Sequence, residues 1–97
     1  MTSAPQAVPT VQVDNDRVRV TEWRFAPGAE TGEHVHQMDY VVVPCGNGRL
    51  KLISPQGAES FAELKQGVSY FRKAGVHHNV VNANDFEFAF VEIELKS

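Results

Sequence analysis

The chain has one cysteine, Cys45, in 97 residues, so no internal disulfide can form and a reducing compartment is the simpler setting. Cys45 sits between Pro44 and Gly46, where a strand should turn, and with no activating basic neighbour it reads as an inert thiol. Long hydrophobic runs are missing: the longest strongly apolar stretch covers residues 40–43, against the ~20 that span a bilayer, so no membrane segment is expected. Positive charge is sparse, with nine Lys and Arg scattered through a chain of net charge −3, so nucleic acid is not an expected partner. Residues 1–10 lack the basic start and apolar stretch of a secretory signal and read as a flexible N-terminal tail on a cytoplasmic protein. No nucleophile stands beside a base and no glycine-rich phosphate loop occurs, which removes support for nucleophilic catalysis and nucleotide chemistry.

A helical apolar period is also absent, and what is present instead is a series of short β-type runs punctuated by turns. Hydrophobic residues at 42% and charged residues at 22% suit a folded globular domain. Strands are expected over residues 11–13, 17–25, 34–43, 49–53, 59–64, 68–71, 78–81 and 86–95, with turns at Asp14-Asn15-Asp16, Pro27-Gly28, Pro44 to Gly48, Ser54 to Gly57, Gln66-Gly67, Lys73 to Gly75 and Asn82 to Asp85. About eight strands at this spacing predict an all-β protein, a sandwich or small antiparallel barrel, as one domain over residues 11–97. The last strand is apolar on both faces: Phe86, Phe88 and Phe90 alternate with Ala89, Val91, Ile93 and Leu95. Either this strand runs through the middle of a sandwich or one of its faces meets a second chain, and for a domain this small a homodimer is expected.

His34 and His36 lie two residues apart, which on a strand puts both on one face about 7 Å apart at the backbone, able to converge on one ion. Around them runs a longer pattern. Gly28 stands five residues before His34; later come Gly67, then Lys73-Ala74-Gly75 after five residues, His78 after two more and Asn82 after three more. These positions resemble the two signature motifs of the cupin superfamily, covering residues 28–82. The resemblance implies a jelly-roll barrel holding a divalent metal on His34, His36 and His78.

The departures from that pattern carry chemistry. Lys73 replaces a usual proline at a turn. Tyr40 stands where the family has a glutamate ligand, and Gly48, one residue late, makes Val41 the alternative equivalent; neither supplies the carboxylate. Three neutral imidazoles leave the ion its full double charge and several open positions. Tyr40, with the parity of His34 and His36, has three readings: a catalytic hydrogen-bond donor to a bound ligand, a phenolate ligand, or a buried aromatic bonded to backbone. Asp39 has the wrong parity for a ligand unless the strand bulges; His77 points away from His78 to the surface; and Glu33 is read as a solvated turn residue rather than a support for a histidine. Trp23, Phe25, Met38, Tyr70, Phe71, Phe88 and Phe90 are expected to fill the barrel and line a pocket for a small-molecule ligand or substrate.

By resemblance, the expected activity is that of a ferrous dioxygenase-like enzyme acting on a small organic molecule. The alternatives are a non-catalytic cupin that binds or senses a small ligand, and a zinc-dependent isomerase or lyase. Imidazole donors by themselves do not choose between iron, zinc, nickel and manganese.

Overall fold

The computed structural model describes residues 4–96. Nine strands occur among them: β1 (Val8–Asp14), β2 (Val18–Phe25), β3 (His34–Val35), β4 (Tyr40–Pro44), β5 (Gly48–Ile53), β6 (Glu59–Leu64), β7 (Tyr70–Arg72), β8 (His77–Asn82) and β9 (Phe88–Leu95). They form a five-stranded sheet in the order β1-β2-β9-β4-β7 and a four-stranded sheet in the order β3-β8-β5-β6. All strand pairs are antiparallel, and the sheets face each other as the expected cupin-like jelly roll. No helix among the described residues is long and apolar enough to cross a membrane.

Alternation decides which side chains enter the barrel. β4 buries Tyr40, Val42 and Pro44 and leaves Val41 and Val43 on the outside. β2 buries Phe25, which is 0% exposed and whose ring lies 5.5 Å from that of Phe90. Phe25, Leu50, Leu64, Phe88 and Ala29 close one end, each full burial of a large apolar side chain contributing about 1.5–3 kcal/mol. That end is tightly packed: a Cβ added to Gly48 would lie 2.8 Å from two ring carbons of Phe88. Asn82, 2% exposed, ties it together: its side-chain amide donates to the carbonyls of Phe25, Ala26 and Phe86, and its oxygen accepts from the Asn84 amide at 2.9 Å. This gives the motif asparagine a structural role, since unpaired carbonyls would be costly in so buried a place.

Three expectations are corrected here. Residues 1–10 are not a loose tail as far as they are described, because the Ala7 amide donates to the Glu30 carbonyl (2.8 Å), Glu30 donates to Pro5 (2.9 Å), and β1 begins at Val8. Those contacts are made by backbone, so polar composition gives no hint of them; residues 1–3 lie outside the described residues. The single strand expected over residues 34–43 is two strands in different sheets. The chain crosses between them at residues 36–39, where the Gly75 amide bonds the His36 carbonyl (2.8 Å) and Asp39 accepts from the Ala74 amide (2.8 Å). Finally, Phe71, expected inside the barrel, is 49% exposed, and Met38 does not line the cavity described below. Phe71 pairs with Val41 on the outer face, and Phe86 precedes β9.

Candidate metal centre

The end of the barrel away from Asn82 is built of histidine. His34 and His78 are direct cross-strand partners on β3 and β8, so their side chains share a face. His36 lies just past β3, its amide donating to the Val76 carbonyl at 2.8 Å and its carbonyl accepting from Gly75. Gly75 has φ of 102°, a left-handed conformation that favours glycine, and this turn delivers the chain into β8 immediately before His77 and His78. The motif glycine thus positions two of the three histidines.

The geometry brings the three together. Nε2 of His36 lies 3.0 Å from Nε2 of His34 and 3.2 Å from Nε2 of His78, and the three donor atoms fall within 4.8 Å of one another. His34 Nδ1 donates to the Gly32 carbonyl at 2.8 Å, which leaves the Nε2 lone pair facing the cluster. Thr31 Oγ lies 3.2 Å from the same Nδ1 and accepts from the Val80 amide, fastening the loop that carries this support to β8. Burial first, and then the neighbouring imidazoles, push His36 and His78 down to about 4, so both are neutral at pH 7. Three imidazole nitrogens aimed at one point are satisfied together by a divalent cation, and this donor set fits one.

Tyr40 is 3% exposed, and its ring stacks on that of His36 with centroids 3.9 Å apart. It faces inward as expected, but for a different reason: parity along a continuous strand does not apply across the crossing, and the inward alternation of β4 sets its direction. Burial pushes its hydroxyl up to about 12, which keeps it protonated. Asp39 serves the Ala74 amide and does not join the histidine cluster. His77 lies on the outside, 2.9 Å from Glu33, so Glu33 supports a surface histidine and none of the three clustered ones.

Beside the histidines opens a cavity of about 330 Å³, walled by Trp23, Val42, Leu52, Tyr70 and Phe90 together with Tyr40. This is small but within the range of sites that enclose small molecules. The reading of residue types passed over three charged groups that line it, Arg72, Glu94 and Glu92, of which Glu92 on β9 is the most buried at 8% exposed. Burial first, and then Glu94, push its carboxyl up to about 7. The signal was available in the alternation that places residue 92 with Phe88 and Phe90, but that face reads as apolar and the charge at its end draws no notice.

No family model matches the chain. It is 62% identical over 96 residues to the beta-alanine degradation protein BauB of Pseudomonas aeruginosa, covering 99% of this chain and 100% of that one. The crystal structure of a cupin domain from Bordetella pertussis Tohama I is 58% identical, with a TM-score of 0.95 and 100% of both chains covered. A double-stranded β-helix domain protein from Klebsiella pneumoniae shares the fold, with a TM-score of 0.76 at 23% identity and coverage of 99% of this chain and 82% of that one. Identity of this order across the whole length of a cupin domain, together with the jelly roll and the motif residues in place, means that the chain belongs to the cupin superfamily.

Proposed function

We propose that this cupin is a dioxygenase-type enzyme that holds ferrous iron on His34, His36 and His78 and acts on a small organic molecule in the adjoining cavity. The observation that carries this reading is a cluster of three imidazole donors with no carboxylate among them, opening directly onto that cavity. Iron held by three neutral ligands would retain its full charge and supply oxygen activation. The Gly32 carbonyl keeps His34 in the tautomer that presents Nε2, and Tyr40, packed on His36, is the catalytic residue that donates a hydrogen bond to the bound substrate. Trp23, Val42, Leu52 and Phe90 give the cavity an apolar wall beside the reacting groups. Because the Pseudomonas relative is named for beta-alanine degradation, we place the substrate among the small molecules of that breakdown. We assign the protein to the cytoplasm, where reducing conditions suit ferrous iron and the exposed thiol of Cys45.

Element analysis of protein purified without chelator should return iron, and iron-reconstituted protein should take up oxygen with a member of a panel of small amino acids, diketones, thiols and phenols. Tyr40→Phe should lower that turnover by ~10²-fold or less with metal content unchanged. No oxygen uptake across the panel, with ligand affinity indifferent to air and reductant, would replace this reading by a binding or sensing cupin. Zinc as the native metal would favour an isomerase or lyase.

We further propose a homodimer formed through the outer face of the five-stranded sheet. One row across all five strands, Val13-Val20-Ile93-Val41-Phe71, is apolar on that face, and Val91 and Val43 extend it. An apolar face of this kind can pair with itself across a two-fold axis. Light scattering should give the mass of two chains at micromolar concentration and Ile93→Lys the mass of one; a monomeric parent protein would overturn the assignment.

A further inference from the structure

Glu92 is 8% exposed and has neither a hydrogen-bond nor an ion-pair partner among the described residues; since no sealed side-chain oxygen there lacks a partner, its carboxylate opens onto the cavity it borders. Its cross-strand neighbours are Thr21 and Val42. The charged and titratable groups around it are engaged elsewhere or are uncharged. On β2, Arg19 lies 3.9 Å from Glu94. On β7, Arg72 lines the same cavity and adds positive charge, but its guanidinium lies over the Tyr70 ring, 4.5 Å from the centroid, donates to the Phe71 carbonyl, and makes no ion pair with Glu92. Tyr40 on β4 and Tyr70 on β7 are kept protonated by burial, and His36 in the crossing segment and His78 on β8 are neutral. Glu94, two residues along β9, also lines the cavity and adds negative charge.

A buried carboxylate without donors is expensive to ionise, and what relieves it is a proton or a cation. The surroundings favour a cation. Trp23 and Phe90 line the same space, and aromatic ring faces attract positive charge, as the Arg72 guanidinium over the Tyr70 ring illustrates. The pairing of Tyr40 with Glu94 and of Val42 with Glu92 puts Glu92 diagonal to Tyr40 across the β4–β9 pair, about 7–8 Å away at the backbone from the residue whose ring packs on His36. The cavity therefore has two unlike parts: a metal-binding set of imidazoles and an unpaired carboxylate with aromatic rings nearby.

We propose that Glu92 receives the ammonium group of the substrate, so that the site selects small molecules with a metal-binding group at one end and a protonated amine at the other. This rests on the metal-site reading above and adds to it the substrate's charge and the residue that recognises it.

The test uses binding alone, so that it stands apart from turnover. Zinc-loaded protein, which is redox-silent, is titrated calorimetrically at pH 8 with 3-aminopropanoate and with 3-hydroxypropanoate, which differ in the amine. The wild type should bind the amine at least tenfold more tightly. Glu92→Gln should remove that preference while keeping affinity for the hydroxy acid, and Glu94→Gln should retain it. Metal-free protein titrated with propylammonium against 1-propanol should show the same preference and the same dependence on Glu92, even if the metal assignment fails. Equal affinity for the two probes in wild type, or a preference that survives Glu92→Gln or is lost in Glu94→Gln, would overturn the proposal.

Discussion

His78→Ala is expected to strip the protein of nearly all its metal, lowering affinity by at least ~10²-fold, while the barrel remains folded. Loss of a supporting second-layer group at metal sites already costs roughly 10–100-fold, and His78 supplies one of only three donors. Its Nε2 is 3.2 Å from that of His36, and its backbone is the partner of His34, so no other described His, Cys, Asp or Glu joins the cluster to replace it. The fold should survive because β8 is held lower down, by Val80 in the core and by the buried amide of Asn82. The check is element analysis and competition with a chelator, beside far-ultraviolet dichroism and thermal unfolding of the metal-free forms. Stoichiometric metal in a variant with His34, His36 and His78 all replaced by Ala would show that the metal sits elsewhere.

Glu92→Gln is expected to stabilise metal-free protein at pH 8 by about 3 kcal/mol and to change nothing at pH 4. The carboxyl titrates near 4.5 in the unfolded chain and is pushed up to about 7 in the folded one, chiefly by burial. Below pH 4.5 it is protonated in both states and carries no penalty. As pH rises from 4.5 through 7 the unfolded chain ionises freely while the folded chain resists, so stability drains away across that window and the full cost is reached above 7. A difference of this size in pKa corresponds to about 3 kcal/mol. Gln keeps the shape without the charge and removes the pH dependence. His36 and His78 act in the opposite direction below pH 6.5, but they are present in both proteins and cancel in the difference. Denaturant unfolding of the two proteins at pH 4, 6 and 8 measures it, and equal stabilities at pH 8 would show that Glu92 is solvated in the native state. Tolerating such a group at a cost to stability is what a site kept for binding would do.

The strands were largely legible because the information that sets them is local. Residues 59–64 were expected as a strand and are β6; residues 49–53 extend by one to β5; Pro27-Gly28 ends β2 and Asn82 ends β8. The break at residues 36–39 was hidden for the opposite reason. Gln37, Met38 and Asp39 include no glycine or proline, and the crossing is held by bonds to Val76, Gly75 and Ala74, about forty residues away. Asp39 was readable as a carboxylate but not as the cap of a distant turn. His77 and His78 were separable beforehand because adjacent strand residues face opposite ways, and the outward His77 and the clustered His78 follow that rule.

By itself the sequence determined the class of fold, the strand alternation that separates inner from outer residues, and the donor type of the candidate site, because period, turn chemistry and motif spacing act over a few residues at a time. Tertiary structure alone decided that three imidazoles from two strands and a crossing loop meet within 4.8 Å, that Tyr40 stacks on His36, and that Glu92 enters the same cavity without a partner. Those outcomes depend on which strands pair and how the two sheets close on each other. Pairing is settled by contacts far apart in the chain, whose free energy no short window of residues contains.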